Sequence, residues 1–160
     1  MKILIIGIGN PGRGDDGLGP ALAARMAATE PDAMPEGVVI VLPGRPAAAV
    51  WKYQLNIEDA FLIKDYETAV FADASRLAGT SVRLEEIAAA ASIAFTTHEM
   101  SPAAVLALCE HLYGRAPLGR QLSIPGFSWE LGDGLSAEAV LNLDAAAVRL
   151  LEFLEAFRRG

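Results

Sequence analysis

Short apolar runs alternate along this chain with longer segments whose apolar residues recur at helical spacing. The first run, KILIIGI (2–8), is rich in β-branched residues, which is typical of a strand buried on both faces of a sheet. The segment 44–55 is ambiguous, and within it VWKYQL (50–55) could form a short strand because Trp51 and Tyr53 alternate with polar residues. The other predicted strands are 37–43, 68–75, 81–87 (an edge strand) and 121–127.

Helical segments separate these strands, and several carry end signals. Asn56 is predicted to cap a short helix, and Ser101 and Gly114 are predicted to begin and end another. The predicted helices are 18–30, 56–66, 101–114 and 136–159. The apolar stripe of the last helix comprises Val140, Leu143, Ala147, Leu150, Leu151, Leu154 and Phe157.

Strands that alternate with helices predict an α/β fold. We expect a three-layer sandwich in one domain (1–160), with a mostly parallel twisted sheet of about five strands and helices on both faces. In such sheets ligands bind beyond the carboxyl ends of the strands. The loops that follow 2–8, 68–73 and 88–95 are therefore expected on or near the functional side.

Charge and composition limit the classes of ligand and partner that we expect for this protein. The net charge is -7 and only three lysines occur, so nucleic acid and anionic membrane are poor partners, whereas a cationic ligand or a metal is easily accommodated. No apolar run approaches the length of a transmembrane helix, and the start of the chain lacks the features of a signal peptide. Cys109 is the only cysteine, which excludes an intrachain disulfide and favours a reducing, cytoplasmic location.

The turn after the first strand, GIGNPGRGDDG (7–17), contains the G-x-G-x-x-G pattern of dinucleotide-binding turns. A nucleotide site is nevertheless disfavoured, because Asp15 and Asp16 would repel a pyrophosphate and no acidic residue ends the second strand. Glycines at these positions are also expected in a tight turn without any ligand.

Three side chains are the candidates for chemistry. Two adjacent aspartates cannot both point the same way, so Asp15 is predicted to cap the following helix and Asp16 to be free for a site. Asp73 ends an apolar strand, and His98 lies in the polar break FTTHEMSP; His111, near a helix C-terminus, is interpreted as structural. Asp16, Asp73 and His98 would all lie at the carboxyl edge of the sheet, where two carboxylates and an imidazole suit a divalent cation that prefers N and O ligands.

Other catalytic patterns are incomplete. The sequence HEMSP has Pro102 where a zinc protease has its second histidine, and GFSWE has Glu130 where a nucleophile elbow has glycine. Cys109 lies in an apolar stretch and is interpreted as a buried small residue.

Taken in order, KILIIGIGNPGRGDDGLGPALAARM, VFADAS, FTTHEMSP and LSIPGFSWELGDGLSAEAV resemble the [NiFe]-hydrogenase maturation endopeptidases over almost the whole chain. The segment GxGNPG also resembles the start of the peptidyl-tRNA hydrolases, but those carry a histidine soon after it, and this chain has none before His98. The first resemblance implies removal of a C-terminal extension from the hydrogenase large-subunit precursor once nickel has been inserted. It also implies that Asp16, Asp73 and His98 recognise that nickel, with Asp16 standing where many relatives have glutamate.

Three functions stay open from the sequence. The first is a nickel-dependent peptidase in which Asp16, Asp73 and His98 recognise substrate-borne nickel and take part in hydrolysis. The second is a non-proteolytic, metal-sensing assembly factor of the same fold, and the third is a nucleotide-binding or peptidyl-tRNA-hydrolase-like protein. The loop after the second strand lacks the signature common in relatives, so the target hydrogenase is not predicted.

Overall fold

The computed structural model describes residues 2–77, 81–91 and 99–160. Its strands are β1 (Ile3–Ile8), β2 (Ile40–Val41), β3 (Ala47–Lys52), β4 (Thr68–Ser75), β5 (Arg83–Ile87) and β6 (Leu118–Pro125). They form a six-stranded sheet in the order β2-β3-β1-β4-β6-β5. The four central strands pair in parallel, and the edge strands β2 and β5 pair antiparallel with their neighbours.

The helices are α1 (Leu18–Met26), α2 (Asp59–Ile63), α3 (Pro102–Tyr113) and α4 (Ala137–Arg159). Helices α1 and α4 pack on one face of the sheet, and α2 and α3 pack on the other. The α/β prediction, with a mostly parallel sheet and helices on both faces, is confirmed. The sheet has six strands rather than about five because the short antiparallel strands extend both edges.

The central strand β1 shows how the sequence builds two cores. All six of its residues are buried, with Ile3 and Ile5 in the core under α1 and α4. Leu4, Ile6 and Ile8 face the opposite core, under α2 and α3. A strand that alternates between two apolar layers has no polar face, which is why the run at 2–8 reads as continuously apolar.

The ambiguous segment 44–55 holds β3, which lies beside β1 inside the sheet. The expected strand at 50–55 was therefore placed too late, because the buried run AAAVW (47–51) carries little strand preference of its own. Its small side chains allow α1 to approach β3. The neighbouring strand predicted over 37–43 shrinks to the two residues of β2.

Several boundaries also differ from expectation. Helix α1 ends at Met26, four residues early, because Ala28 adopts a left-handed conformation with φ 54°. The helix predicted over 56–66 is reduced to α2, and no side chain caps it; Asn56 instead donates its N–H to the Asp59 carboxylate at 2.7 Å. In the apolar stripe of α4, Val140 is exposed, whereas the other members are buried or pack against the core.

The two longest helices begin as predicted. The Ser101 hydroxyl caps α3 by accepting the Ala104 N–H at 3.1 Å, and Gly114 ends that helix in the left-handed conformation. Ser136 caps α4 in the same way. Cys109 is buried in α3, as expected. No helix in the described part of the chain is long and apolar enough to cross a membrane.

Candidate active site

Asp73 lies at the carboxyl edge of the sheet because of the parallel register of β1 and β4. Ile8, the last residue of β1, pairs with Asp73 of β4. The chain of β1 therefore turns away at the level where Asp73 emerges from the buried part of its strand. Asp73 itself is half-buried.

Asp16 reaches this edge through the turn after β1. A 3₁₀ turn over Gly14–Gly17 folds the chain back on itself, and the Asn10 N–H donates to Asp16 Oδ2 at 2.9 Å. The Asn10 side chain in turn accepts the Gly12 N–H at 2.9 Å. A hydrogen bond within the glycine-rich turn (7–17) therefore fixes the position of the Asp16 carboxylate.

The glycines of the turn serve close packing. Gly9 has φ 137°, and a Cβ there would overlap the Asp16 carbonyl oxygen. A Cβ on Gly7 would overlap the Gly19 carbonyl, so Gly7 lets α1 lie directly on β1. The Asn10 N–H, which a phosphate cradle would offer to a ligand, is already bonded to Asp16. This arrangement disfavours the nucleotide interpretation.

The negative charge of Asp16 acts on Asp73. Burial raises the pKa of Asp73 to about 7, with further contributions from the negative charges of Asp16 and Glu99; a hydrogen bond from the Ala74 N–H opposes them. Two carboxylates that repel each other at the mouth of a sheet fit a divalent cation, because a cation removes the repulsion and both oxygens are suitable ligands.

A cavity of 280 Å³ opens beside Asp73. Its other lining residues are Ile8, Leu55, Glu99, Met100, Ser101 and Pro102. The Met100 N–H donates to the Leu55 carbonyl at 3.2 Å, which holds the start of α3 against the loop after β3. Glu99 was not singled out from the sequence, although it stands directly after His98 in the polar break.

The third predicted site residue, His98, lies outside the described residues. The sequence-predicted set is therefore represented here by Asp16 and Asp73, which the structure brings together. Among residues 2–77, 81–91 and 99–160, no three potential metal ligands are grouped as a metal site. The imidazole as a third ligand stays a prediction.

Asp15 does not cap α1, contrary to expectation. Its side chain is fully buried and accepts hydrogen bonds from the N–H groups of Phe127, Ser128 and Ser136 at 2.7, 2.9 and 2.7 Å. The Ser136 hydroxyl also donates to it, at 2.7 Å. Burial raises the pKa of Asp15, but these hydrogen bonds outweigh it and hold the pKa below its usual value. Asp15 therefore connects the loop before α4 to the glycine-rich turn after β1 (7–17).

Comparison with solved structures finds proteins that share this fold, whereas comparison of the sequence finds no match. No protein-family model and no curated protein sequence matches the chain at a significant level. Among solved structures, the hydrogenase maturating endopeptidase HybD from E. coli superposes with a TM-score of 0.70 at 19% identity, covering 98% of this chain and 93% of that one.

Two further solved structures show the same likeness. The [NiFe] hydrogenase maturation protease HycI from Thermococcus kodakarensis KOD1 has a TM-score of 0.66 at 19% identity, covering 96% of this chain and 92% of that one. A hydrogenase 2 maturation peptidase from Thaumarchaeota archaeon SCGC_AB-539-E09 has a TM-score of 0.64 at 21% identity, covering 97% and 99%. At such identities the likeness establishes a shared fold over nearly the full length of each chain.

Proposed function

We propose that this protein is an endopeptidase that removes the C-terminal extension of a [NiFe]-hydrogenase large-subunit precursor after nickel insertion. The observation that carries the proposal is the Asp16–Asp73 carboxylate pair at the carboxyl edge of the sheet. Solved structures with the same fold are named as hydrogenase maturation proteases, and this supports the reaction class.

Nickel is part of the substrate in this proposal. It arrives on the precursor, and Asp16, Asp73 and His98 offer oxygen and nitrogen ligands to its open positions. A precursor without nickel brings no cation to the carboxylates of Asp16 and Asp73. Their repulsion is then not relieved, so this precursor should bind poorly. The checkpoint follows from this difference, because only a loaded precursor presents its extension productively.

For hydrolysis we propose that Asp73 handles the proton. In this scheme Asp73 would bind nickel through one carboxylate oxygen, and its other oxygen would accept a proton from water and release it again. Water attacks the carbonyl carbon of the scissile bond while its proton passes to Asp73. The same proton then passes to the leaving nitrogen as the carbon–nitrogen bond breaks.

The direct test is cleavage of the cognate large-subunit precursor in nickel-loaded and nickel-free forms, followed by mass spectrometry. We expect only the loaded form to be shortened. Cleavage of both forms at equal rates would contradict the nickel checkpoint. A loaded precursor that binds but keeps its extension would contradict the peptidase and favour the non-proteolytic assembly factor.

Variants separate recognition from chemistry. Asp16→Ala and His98→Ala should abolish both stable binding of loaded precursor and its cleavage, while the melting temperature changes little. Asp73→Asn should retain part of the binding and lose cleavage if Asp73 is the base. Asp144→Asn, at an exposed carboxylate paired with Arg25, is the matched control and should cleave normally.

A further inference from the structure

A cavity lined by charged residues lies beside the turn that carries Asp16. It has a volume of about 620 Å³ and is partly open to solvent. Two guanidinium groups line it, those of Arg13 and Arg76, together with Trp129, Asn10 and Glu130. In a chain of net charge -7, two arginines at one cavity are a local concentration of positive charge.

The arginines are fixed by one aromatic residue. The Arg13 Nε–H donates to the Trp129 carbonyl at 3.2 Å, and the Arg76 guanidinium lies 4.0 Å from the centroid of the Trp129 ring. Within the described part of the chain, neither arginine forms an ion pair with an acidic side chain. Their remaining N–H groups are therefore available to a ligand.

The wall that carries Trp129 is built into the fold. The Gly132 N–H donates to the Gly12 carbonyl at 2.9 Å, and the buried Asp15 carboxylate binds the N–H groups on either side of this loop, at Ser128 and Ser136. The cavity therefore has preformed walls, which reduces the entropy that binding a ligand would cost.

The charges select the ligand. Guanidinium groups match the geometry of carboxylates and phosphates. Glu130 stands on the same cavity and repels a doubly charged phosphate more strongly than a singly charged carboxylate. The lining therefore favours a carboxylate.

The cavity adjoins the Asp16–Asp73 pair. Asn10 lines the cavity, and its N–H holds the Asp16 carboxylate. Arg76 follows Asp73 by three residues, directly after the end of β4. A peptide whose backbone lies at Asp16 and Asp73 can thus place a neighbouring group between the two arginines.

We propose that the Arg13–Arg76 cavity binds a carboxylate of the substrate's C-terminal extension, either an acidic side chain or the terminal carboxylate, and so positions the peptide for cleavage. The identity of the occupant rests on the proposed function. Arg13 and Arg76 are positioning residues in this scheme, since they bind the peptide at a point distant from the scissile bond.

A binding experiment tests the cavity without any cleavage. The probes are acetyl-trialanine with a free carboxylate, its amide, and acetyl-Ala-Asp-Ala-amide, titrated into ¹⁵N-labelled protein. We expect both carboxylate peptides to shift the Arg13 Nε–H and Trp129 indole signals saturably, and the amide to leave them unchanged. Preference for one carboxylate peptide over the other identifies the source of the charge.

Matched variants make this result specific. Arg76→Gln and Arg13→Gln should each weaken carboxylate binding about tenfold or more, as expected for a lost charge-assisted hydrogen bond. Arg76→Lys should retain part of the affinity. Arg83→Gln removes the same charge from the edge strand β5, outside the cavity, and should bind as the wild type does. Equal binding of the amide, or unchanged affinity in both cavity variants, would overturn the proposal.

Cleavage of the nickel-loaded precursor separates this inference from the proposed function. If the wild type cleaves, Arg76→Gln should raise KM at least about tenfold with a smaller change in kcat, because the lost contact binds rather than reacts. Wild-type cleavage with an unchanged KM in Arg76→Gln would remove the subsite and leave the peptidase. If the wild type does not cleave, the peptidase fails, and the peptide titration alone decides the carboxylate site.

Discussion

Two neighbouring aspartates in one turn have opposite environments. Asp15 is fully buried and accepts four hydrogen bonds from residues 112 to 121 positions away. Asp16 is half-buried and accepts one N–H from its own turn, and its negative charge helps to raise the pKa of Asp73. The first holds the architecture together, and the second belongs to a pair of like charges.

The pKa values of Asp15 and of Asp73, the second member of the carboxylate pair, are shifted in opposite directions. Hydrogen-bond donors lower the pKa of Asp15 despite its burial, whereas burial and the neighbouring charges raise the pKa of Asp73 to about 7. A buried carboxylate with a full set of donors stabilises the fold. A carboxylate pair without such a set is destabilising on its own, which is a common property of sites built for a ligand.

The largest expected effect on stability is at the buried anchor. Asp15→Ala removes the buried acceptor of three N–H groups and one hydroxyl and should lower the free energy of unfolding by about 3–5 kcal/mol. Urea unfolding monitored by circular dichroism measures the loss. Asp144→Asn, the exposed control, should change it by less than about 1 kcal/mol. A loss at Asp15 no larger than that of the control would refute its role as an anchor.

The second effect compares two capping serines. Ser136 caps α4 and also donates to Asp15, whereas Ser101 only caps α3. Ser101→Ala should cost about 1 kcal/mol, the usual value of an N-cap. Ser136→Ala should cost about 2 kcal/mol, because it also removes a hydrogen bond to a charged group. Equal losses in thermal unfolding would show that the Asp15 contact adds nothing.

The third effect is the pH dependence that Asp73 gives to stability. Its pKa is about 7 in the folded protein against an ordinary value of 3.8. The folded state therefore holds this proton more tightly, and the associated stability is complete below about pH 4 and lost as the pH rises to about 7. Asp73→Asn should remove this slope and gain on the order of 1–2 kcal/mol at pH 8, allowing for screening by solvent.

The measurement is denaturant unfolding of wild type and Asp73→Asn between pH 4 and 8. The difference between the two curves should grow through this window. Asp15 acts with the opposite sign: its lowered pKa contributes stability that is present above about pH 4 and lost at more acidic pH. A constant difference between the wild type and Asp73→Asn would contradict the environment assigned to Asp73.

The smallest expected effect on stability is at the other half of the turn. Asp16→Asn keeps an oxygen that can accept the Asn10 N–H and weakens the repulsion with Asp73. The melting temperature should therefore stay within about 2 °C of the wild type, as for most substitutions without a buried partner. Differential scanning calorimetry checks this. A large loss would place Asp16 with Asp15 among the anchors.

The fold was predictable where the signals are local. Strand β4 has the predicted bounds, α3 begins at the predicted capping residue Ser101, and α4 begins at the predicted position, where the structure adds Ser136 as its cap. Strand β3 was misplaced because three consecutive alanines at 47–49 carry little preference, and only their burial between β1 and β2 makes them a strand. Helix α2 shortened because Asn56 bonds through its backbone instead of capping with its side chain.

The placement of two of the candidate side chains in the fold was predictable for the same reason, whereas their role stays a prediction. Asp16 lies in the turn after β1 and Asp73 lies near the carboxyl end of β4, so the parallel pairing of β1 and β4 places both at the same edge of the sheet. The role of Asp15 could not be predicted, because its partners lie more than a hundred residues away. The same holds for Arg13 and Arg76, since Trp129, which fixes both, comes from a distant loop.

The hydrogen bond between Asp15 and Ser136 also sets an order of events during synthesis. Its two ends are 121 residues apart in a chain of 160 residues, which is about three quarters of its length. During translation the first turn leaves the ribosome long before its anchor exists, and the parallel sheet, with its distant pairings, forms slowly. The nascent chain therefore contains the glycine-rich turn (7–17) before it contains Ser136. Asp15 in this turn gains its hydrogen bonds from Ser136 only after the start of α4 has emerged.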